Sequence, residues 1–408
     1  MKRFVSILLV IIFIMGLCAC SKQGSSGTLN GTETLTLALR DGTYSEVIKA
    51  DLEEFENKNN VTCEVLELSE EELYNYVLNT DEDHPLDLCM VDGSWVTECI
   101  EKDSLIALDE YDYSLDQDII PATTVISYYD NQLYVAPFYG NVTVLFYNKE
   151  AVKATGYSIE ELSSAEKVYQ ACSDSQKKGK AGFLYRGDTN NNIVVDFLPV
   201  LLTFGGWVVD EENNPIINSD EFKSALEYYL NLIHTGKACE KEELIKAIAS
   251  GEATMAVGWP GWYIPSDISP ADYCALEGRA NAEAPSYNAN VYGIWTLGVS
   301  SKSQHKESAV ALLAYLMDKD VQMDSIVMGG IPCRYSCLTD ENVLSLHPEY
   351  EEVCQALEMG HYRPMISSWN EFSDILGGYM NKTIQGEISV SECAEKAQSD
   401  LEKLLREK

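Results

Sequence analysis

The sequence predicts an α/β protein of two lobes, each a mostly parallel sheet flanked by helices, with crossing segments between them. Three observations carry this. Between Leu35 and Glu101 short strand-like runs alternate with helix-period segments, which implies parallel strands covered on both faces. After Tyr111 the rhythm breaks into two β runs rich in Tyr and Phe, QLYVAPFYG and NVTVLFYN, which meet near Gly140, where a crossing fits. A helix-rich block follows, and the strand-like run VYGIWTLGVS then returns the chain to the first lobe.

The elements follow in order. Residues 35–39 (LTLAL) alternate as a strand, and Thr43 with Glu46 has the capping-box spacing that opens a helix, with Tyr44, Ile48, Leu52 and Phe55 on one face. A strand over 61–68, a helix over 70–78, a strand over 86–91 and a helix over 95–101 come next. In the second block Asn218 and Glu221 are placed to cap a helix whose Phe222, Leu226, Tyr229, Leu230 and Ile233 face inward and which Gly236 stops. A helix around 244–248, the strand ATMAVGW and a helix over 307–317 precede a C-terminal amphipathic helix from Ser389 to Leu405, with Ala394, Ala397, Leu401 and Leu404 inward.

Lys2 and Arg3 precede an apolar run from Phe4 to Leu17, which is shorter than the ~20 residues a spanning helix needs and reads as an export signal. The run ends in Leu17-Cys18-Ala19-Cys20, which resembles a bacterial lipobox, so residues 1–19 are expected to be removed and Cys20 to carry a lipid anchor. An ordinary cleavage site and a free secreted protein form the alternative. The Gly/Ser-rich stretch that follows makes 20–33 a flexible tether. Residues 34–140 with 291–335 are then assigned to lobe I, and 141–290 with 336–408 to lobe II.

The 408 residues carry 65 acidic against 29 basic side chains, a net charge of −36 that repels phosphate and argues against nucleic acid or anionic lipid as partners. Two of the 12 cysteines lie in the export signal, and ten in the remaining chain are too sparse for a disulfide scaffold. Most read as small buried side chains, with pairing undecided.

Five of the six tryptophans lie within two residues of a glycine: Trp95, Trp207, Trp259, Trp262 and Trp295. Glycine lets the backbone leave a strand sharply, which would set a broad ring at the strand exit, where open α/β sheets bind ligands. Each ring is equally readable as closing the edge of a core. Taken together, with GWPGWY and the neighbouring Tyr139, Tyr263 and Tyr287, they favour an aromatic pocket of the kind that stacks on sugar faces. Polar candidates at comparable positions are Asp41, Asp92, Ser94, Asn141, Arg334 and Arg363. Carboxylates and amides accept bonds from vicinal hydroxyls, and arginine donates a fork.

Enzyme signals are weak. The five histidines fit no metal-ligand spacing, and neither a GxSxG elbow nor a phosphate loop is present. Asp188–Asn192 opens like a calcium loop, but Ile193 replaces the turn glycine and Pro199 the bidentate glutamate. No metal, cofactor or catalytic residue is expected.

DLCMVDGSWVTECIEKDSLIALDEY, LYVAPFYGNVTVLFYNKEAVKATGY, INSDEFKSALEYYLNLIHTGKA, ASGEATMAVGWPGWY and MISSWNEFSDILGGYM, in this order and spacing, resemble the extracellular solute-binding proteins of bacterial ABC importers, in their carbohydrate-binding branch. The resemblance implies a periplasmic-binding-protein-like fold with a hinge and a ligand cleft between lobes. It implies a monomeric, non-enzymatic receptor that delivers a di- or short oligosaccharide to permease subunits. Positions matching the family site are Asp92, Trp95, Asn141, Trp262, Trp295 and Trp369. Malto-oligosaccharide binders of this kind often carry an acid where Asn141 stands. A peptide or amino-acid receptor and a lipoprotein glycoside hydrolase are the competing readings.

Overall fold

The computed structural model describes residues 33–79, 85–262, 271–275, 277–280, 283–284 and 286–407. The expected export signal, Cys20, the expected tether up to residue 32 and Tyr263 lie outside the described residues.

Strand β1 (Glu33–Arg40) opens the first lobe, one residue inside the span expected to be tether, and buries Leu35, Leu37, Ala38 and Leu39. It is followed by helix α1 (Thr43–Asn59), β2 (Val61–Leu68), α2 (Glu70–Leu78) and β3 (Leu88–Asp92), so the alternating pattern forms the elements it predicts. The expected capping box at Thr43 is absent. The helix is instead capped by Gly42 at φ 78°, a conformation glycine takes without strain, which lets α1 start with only two residues between it and β1.

The first sheet is completed by β4 (Val135–Tyr139) and receives a late strand, Trp295–Val299, between β3 and β4. The second sheet is built from β5 (Val144–Asn148), β6 (Ala181–Arg186), β7 (Lys237–Cys239), β8 (Ala253–Gly258) and β9 (Ala271–Ala275), with the late strand of the first sheet becoming β10. The spatial orders are β2-β1-β3-β10-β4 and β9-β5-β8-β6-β7.

In each sheet four strands share one direction and one is reversed, β10 in the first and β5 in the second. The reason is the route of the chain. Parallel strands end at the face between the lobes, so a strand that begins there, having just crossed, must run the other way. Three segments cross, and they bond to one another: Thr143 N–H donates to Val291 O at 2.8 Å, Gly293 N–H to Asn141 O at 2.9 Å, and His361 N–H to Asn290 O at 2.8 Å.

The second lobe adds α3 (Asn190–Thr203), α4 (Asp220–Ile233) and α5 (Lys241–Ser250). Later helices are α6 (Tyr350–Met359), α7 (Trp369–Ile384) and α8 (Val390–Arg406). Alternate residues of the second sheet serve two cores. Phe146 and Ala256 join Leu244 and Ile248 of α5 in a cluster continuous with the first lobe. Phe183 and Met255 face α3, α4, α7 and α8 through Phe197, Phe222, Leu376 and Leu401. Each such large apolar side chain contributes about 1.5–3 kcal/mol on burial.

Two expectations are corrected here. Ser219 caps α4, accepting from Phe222 N–H at 3.2 Å, while Asn218 lies outside the helix. Residues 336–359, assigned to lobe II, belong largely with lobe I: Cys337, Leu338, Tyr350, Val353 and Leu357 join its core, because the chain crosses back only after α6.

Candidate ligand-binding site

β3 ends at Asp92, β4 at Tyr139, and Trp295 pairs with both at the start of β10. A register shift between Trp295 and Thr296 interrupts the ladder there, a common device for re-aiming a side chain beside a site. From the second lobe, β8 delivers Trp259 and Trp262 just beyond Gly258, and β6 ends in Arg186. Strands β1, β2, β6 and β7 each lead to a helix whose first turn also faces the cleft. These supply Tyr44 from α1, Glu70 from α2, Asn191 and Asn192 from α3, and Lys241 from α5.

Between the lobes these groups enclose a cavity of about 100 Å³, lined further by Arg40, Asp92, Asn141, Gly293, Trp295 and Arg363. A larger apolar cavity of about 240 Å³ lies inside lobe II among Leu145, Phe183, Val200, Leu232 and Val257. Glu160 is its single charged lining residue, so it offers little to orient a ligand.

Among the expected site residues, Asp92, Asn141, Trp259, Trp262, Trp295 and Arg363 are brought together. Asp92 caps the turn after β3, accepting from Ser94 N–H at 2.8 Å and Ser94 Oγ at 2.7 Å, and takes Nη2 of Arg363 at 2.5 Å. Asn141 donates through Nδ2 to Tyr44 Oη at 3.2 Å, while its buried Oδ1 has no partner among the described residues. The Trp262 ring lies 5.3 Å from the Arg186 guanidinium.

The others are placed elsewhere. Trp95 stands behind the cleft, edge-on to Trp295 at 5.4 Å and to Tyr74 at 5.2 Å, and supports the lining ring. Tyr139 turns its hydroxyl to Gly329 O at 2.7 Å. Asp41 points to solvent beside Arg40, because β1 ends one residue earlier and it is Arg40 that faces inward. Trp207 packs on the second core near His361, and Trp369 is 1% exposed, stacked on Phe372 at 5.6 Å. Arg334 is fully engaged inside lobe I by Gln322 Oε1, Met317 O, Asp116 and Asp118.

The reason for the glycines also changes. Gly93, Gly206, Gly258, Gly261 and Gly293 have no positive φ, so they do not make left-handed turns. They make room. A Cβ on Gly293 would sit 2.6 Å from the Trp259 ring, one on Gly258 2.7 Å from Phe146 Cβ, and one on Gly261 2.9 Å from Tyr139 Oη.

Arg40, Tyr44, Glu70, Arg186, Asn191, Asn192 and Lys241 were not marked by the sequence analysis. Their signal was available, since each ends a strand or occupies the first turn of a helix, as Asp92 does. Asn191 and Asn192 fall in the calcium-like segment, which instead starts α3: Thr189 accepts from Asn192 N–H at 3.1 Å and Asp188 accepts from Asn192 Nδ2 at 3.0 Å. Among the described residues no group of His, Cys, Asp and Glu is arranged to hold a metal.

The cleft's charges perturb one another. Desolvation, and then the Asp92 charge, raise the Glu70 carboxyl above its ordinary range, although that side chain stands open to the cleft. Desolvation lowers the Lys241 ammonium, with Glu242 opposing and Arg40 and Arg186 adding to the effect. Desolvation works against the charge on Arg186, and the adjoining Asp196 carboxylate outweighs it.

Residues 52–351 match the family model for bacterial extracellular solute-binding proteins. Similar solved structures include maltose-bound MalE3 of T. maritima (23% identity, 91% of this chain, 100% of that one, TM-score 0.80) and the GacH receptor of Streptomyces glaucescens (22%, 92% and 99%, TM-score 0.80). A probable amino-acid ABC transporter periplasmic-binding protein of Sinorhizobium fredii is 22% identical over 262 residues, 62% of this chain. The chain spans about 60% of that relative's length.

Proposed function

The chain belongs to the bacterial extracellular solute-binding protein family, and from that premise we propose that it captures a sugar between its lobes and delivers it to an ABC permease. One observation carries the reading: Trp259, Trp262, Trp295 and Tyr44 surround a cleft whose polar groups, Asn141, Asp92 and Glu70, accept hydroxyl protons. Rings stack on the apolar face of a pyranose and acceptors fix its hydroxyls. The cavity of about 100 Å³ is below the ~300–1,000 Å³ usual for ligand pockets, so a sugar would need the lobes to part before it enters.

Closure brings groups from both lobes onto one ligand, so the ligand shifts the population by its preference for the closed arrangement. Cys20, lipid-modified, would hold this receptor at the outer face of the membrane, and its role is binding, not catalysis. An amino acid is the second reading, favoured by the description of the S. fredii relative and by the arginines of the cleft.

A thermal-shift panel of sugars, amino acids and peptides on the chain from Ser21 onward tests this. A sugar at 100-fold excess over its Kd adds about 2.7 kcal/mol of stability. Trp262→Ala should abolish that shift and leave the ligand-free melting point nearly unchanged. Stabilisation by amino acids alone refutes the sugar reading, and hydrolysed oligosaccharide in the same samples refutes the receptor reading.

A further inference from the structure

The cleft is basic in an acidic protein. Of 29 basic and 65 acidic residues, its lining takes four of the first, Arg40, Arg186, Lys241 and Arg363, and two of the second, Glu70 and Asp92. Arg363 is paired with Asp92, and Arg186 is held by Asp196 from behind. Arg40 has Asp41 on its solvent side.

Lys241 is different. It stands at the first position of α5, where the helix dipole disfavours a cation, and it has no hydrogen bond or ion pair among the described residues. The nearby charges of Arg40 and Arg186 disfavour it further. The adjacent Glu242 is the one opposing charge, and the ammonium stands exposed at the cavity wall. Arg40 comes from lobe I, while Arg186 and Lys241 come from lobe II, so closure drives like charges together. Four helix N-termini, those of α1, α2, α3 and α5, aim the same sign of partial charge at the cavity. The unpartnered Oδ1 of the buried Asn141, at the same cavity, shows that the site is built to receive a hydrogen-bonding ligand.

Building on the sugar-receptor reading above, we propose that the ligand is an acidic saccharide, whose carboxylate or sulfate or phosphate ester lies between Arg40, Arg186 and Lys241 and relieves their repulsion on closure. The aromatic rings hold the sugar ring and the three cations hold its anionic group. A neutral sugar leaves that repulsion in place, so the anion is what favours the closed arrangement.

The test uses the full-length chain in mild detergent and titration calorimetry with matched pairs: glucose and glucuronate, galactose and galacturonate, cellobiose and cellobiuronate, glucose and its 6-phosphate or 6-sulfate. Glutamate and aspartate complete the panel. At least one anionic sugar should bind 10-fold or more tightly than its neutral twin, the scale of one charge-assisted hydrogen bond. Its affinity should fall with added salt. Lys241→Gln should remove most of that preference without lowering the melting point. Which anionic twin binds distinguishes carboxylate from ester.

Equal or tighter binding of the neutral twins overturns the proposal and keeps the sugar reading. Binding of the amino acids with silence of every sugar overturns both. Silence of every anionic sugar at millimolar concentration, or full preference retained in Lys241→Gln, overturns the proposal.

Discussion

At the residue level, the site is set by side chains that are missing as much as by those present. Gly293 has no Cβ, and the space holds the Trp259 ring. Gly293→Ala should force that ring out of the cleft, costing about 1–3 kcal/mol of stability as overpacking does. Sugar affinity should fall with it, whereas Gly42→Ala, which meets no neighbour but keeps φ 78°, should lower the melting point only. Thermal melts read with and without ligand separate the two. The proximity of Trp to Gly was legible in the sequence, but its cause was not. A sequence shows that two residue types lie close in the chain, whereas Gly293 and Trp259 meet across 34 positions. Arg334 teaches the same lesson. Its loop position resembles that of Arg363, yet its guanidinium is bound inside lobe I while that of Arg363 reaches Asp92.

Among the elements, caps and strand ends decide where the site's groups stand. α4 was legible from its apolar spacing, and its start differs by one residue because Ser219, not Asn218, has the extended backbone and the hydroxyl that reaches Phe222 N–H. Ser219→Ala should cost about 1 kcal/mol in denaturant unfolding and Asn218→Ala little, and equal costs would contradict the cap. α2 and α8 both carry complete capping boxes, at Ser69 with Glu72 and Ser389 with Glu392. Asp92 was found because it ends a strand with an acid. Arg40, Arg186 and Lys241 sit at strand ends or a helix start as well, but local periodicity does not tell which of the many such positions face the cleft.

For the whole molecule, two lobes share a continuous core across three bonded crossings. Cys63, Cys89, Cys99, Cys172, Cys239, Cys333, Cys337, Cys354 and Cys393 are free thiols, and all but the half-buried Cys63 are buried. Burial pushes Cys63, Cys89 and Cys333 up to about 12, and Cys239, Cys337 and Cys354 up to about 11. Thiolate is the reactive form, so at pH 8 a disulfide reagent should titrate at most one fast thiol of the ten after Ser21 in the native chain, and ten on unfolding. Several fast thiols in the native chain would contradict the packing. The sequence by itself determined the alternation of strands and helices, the crossing near Gly140 and the family, because these rest on local periodicity and chain order. Only the tertiary structure decided which groups face the cleft and what charge they bring to it, because that depends on where four helix starts and three crossings converge from positions far apart in the chain.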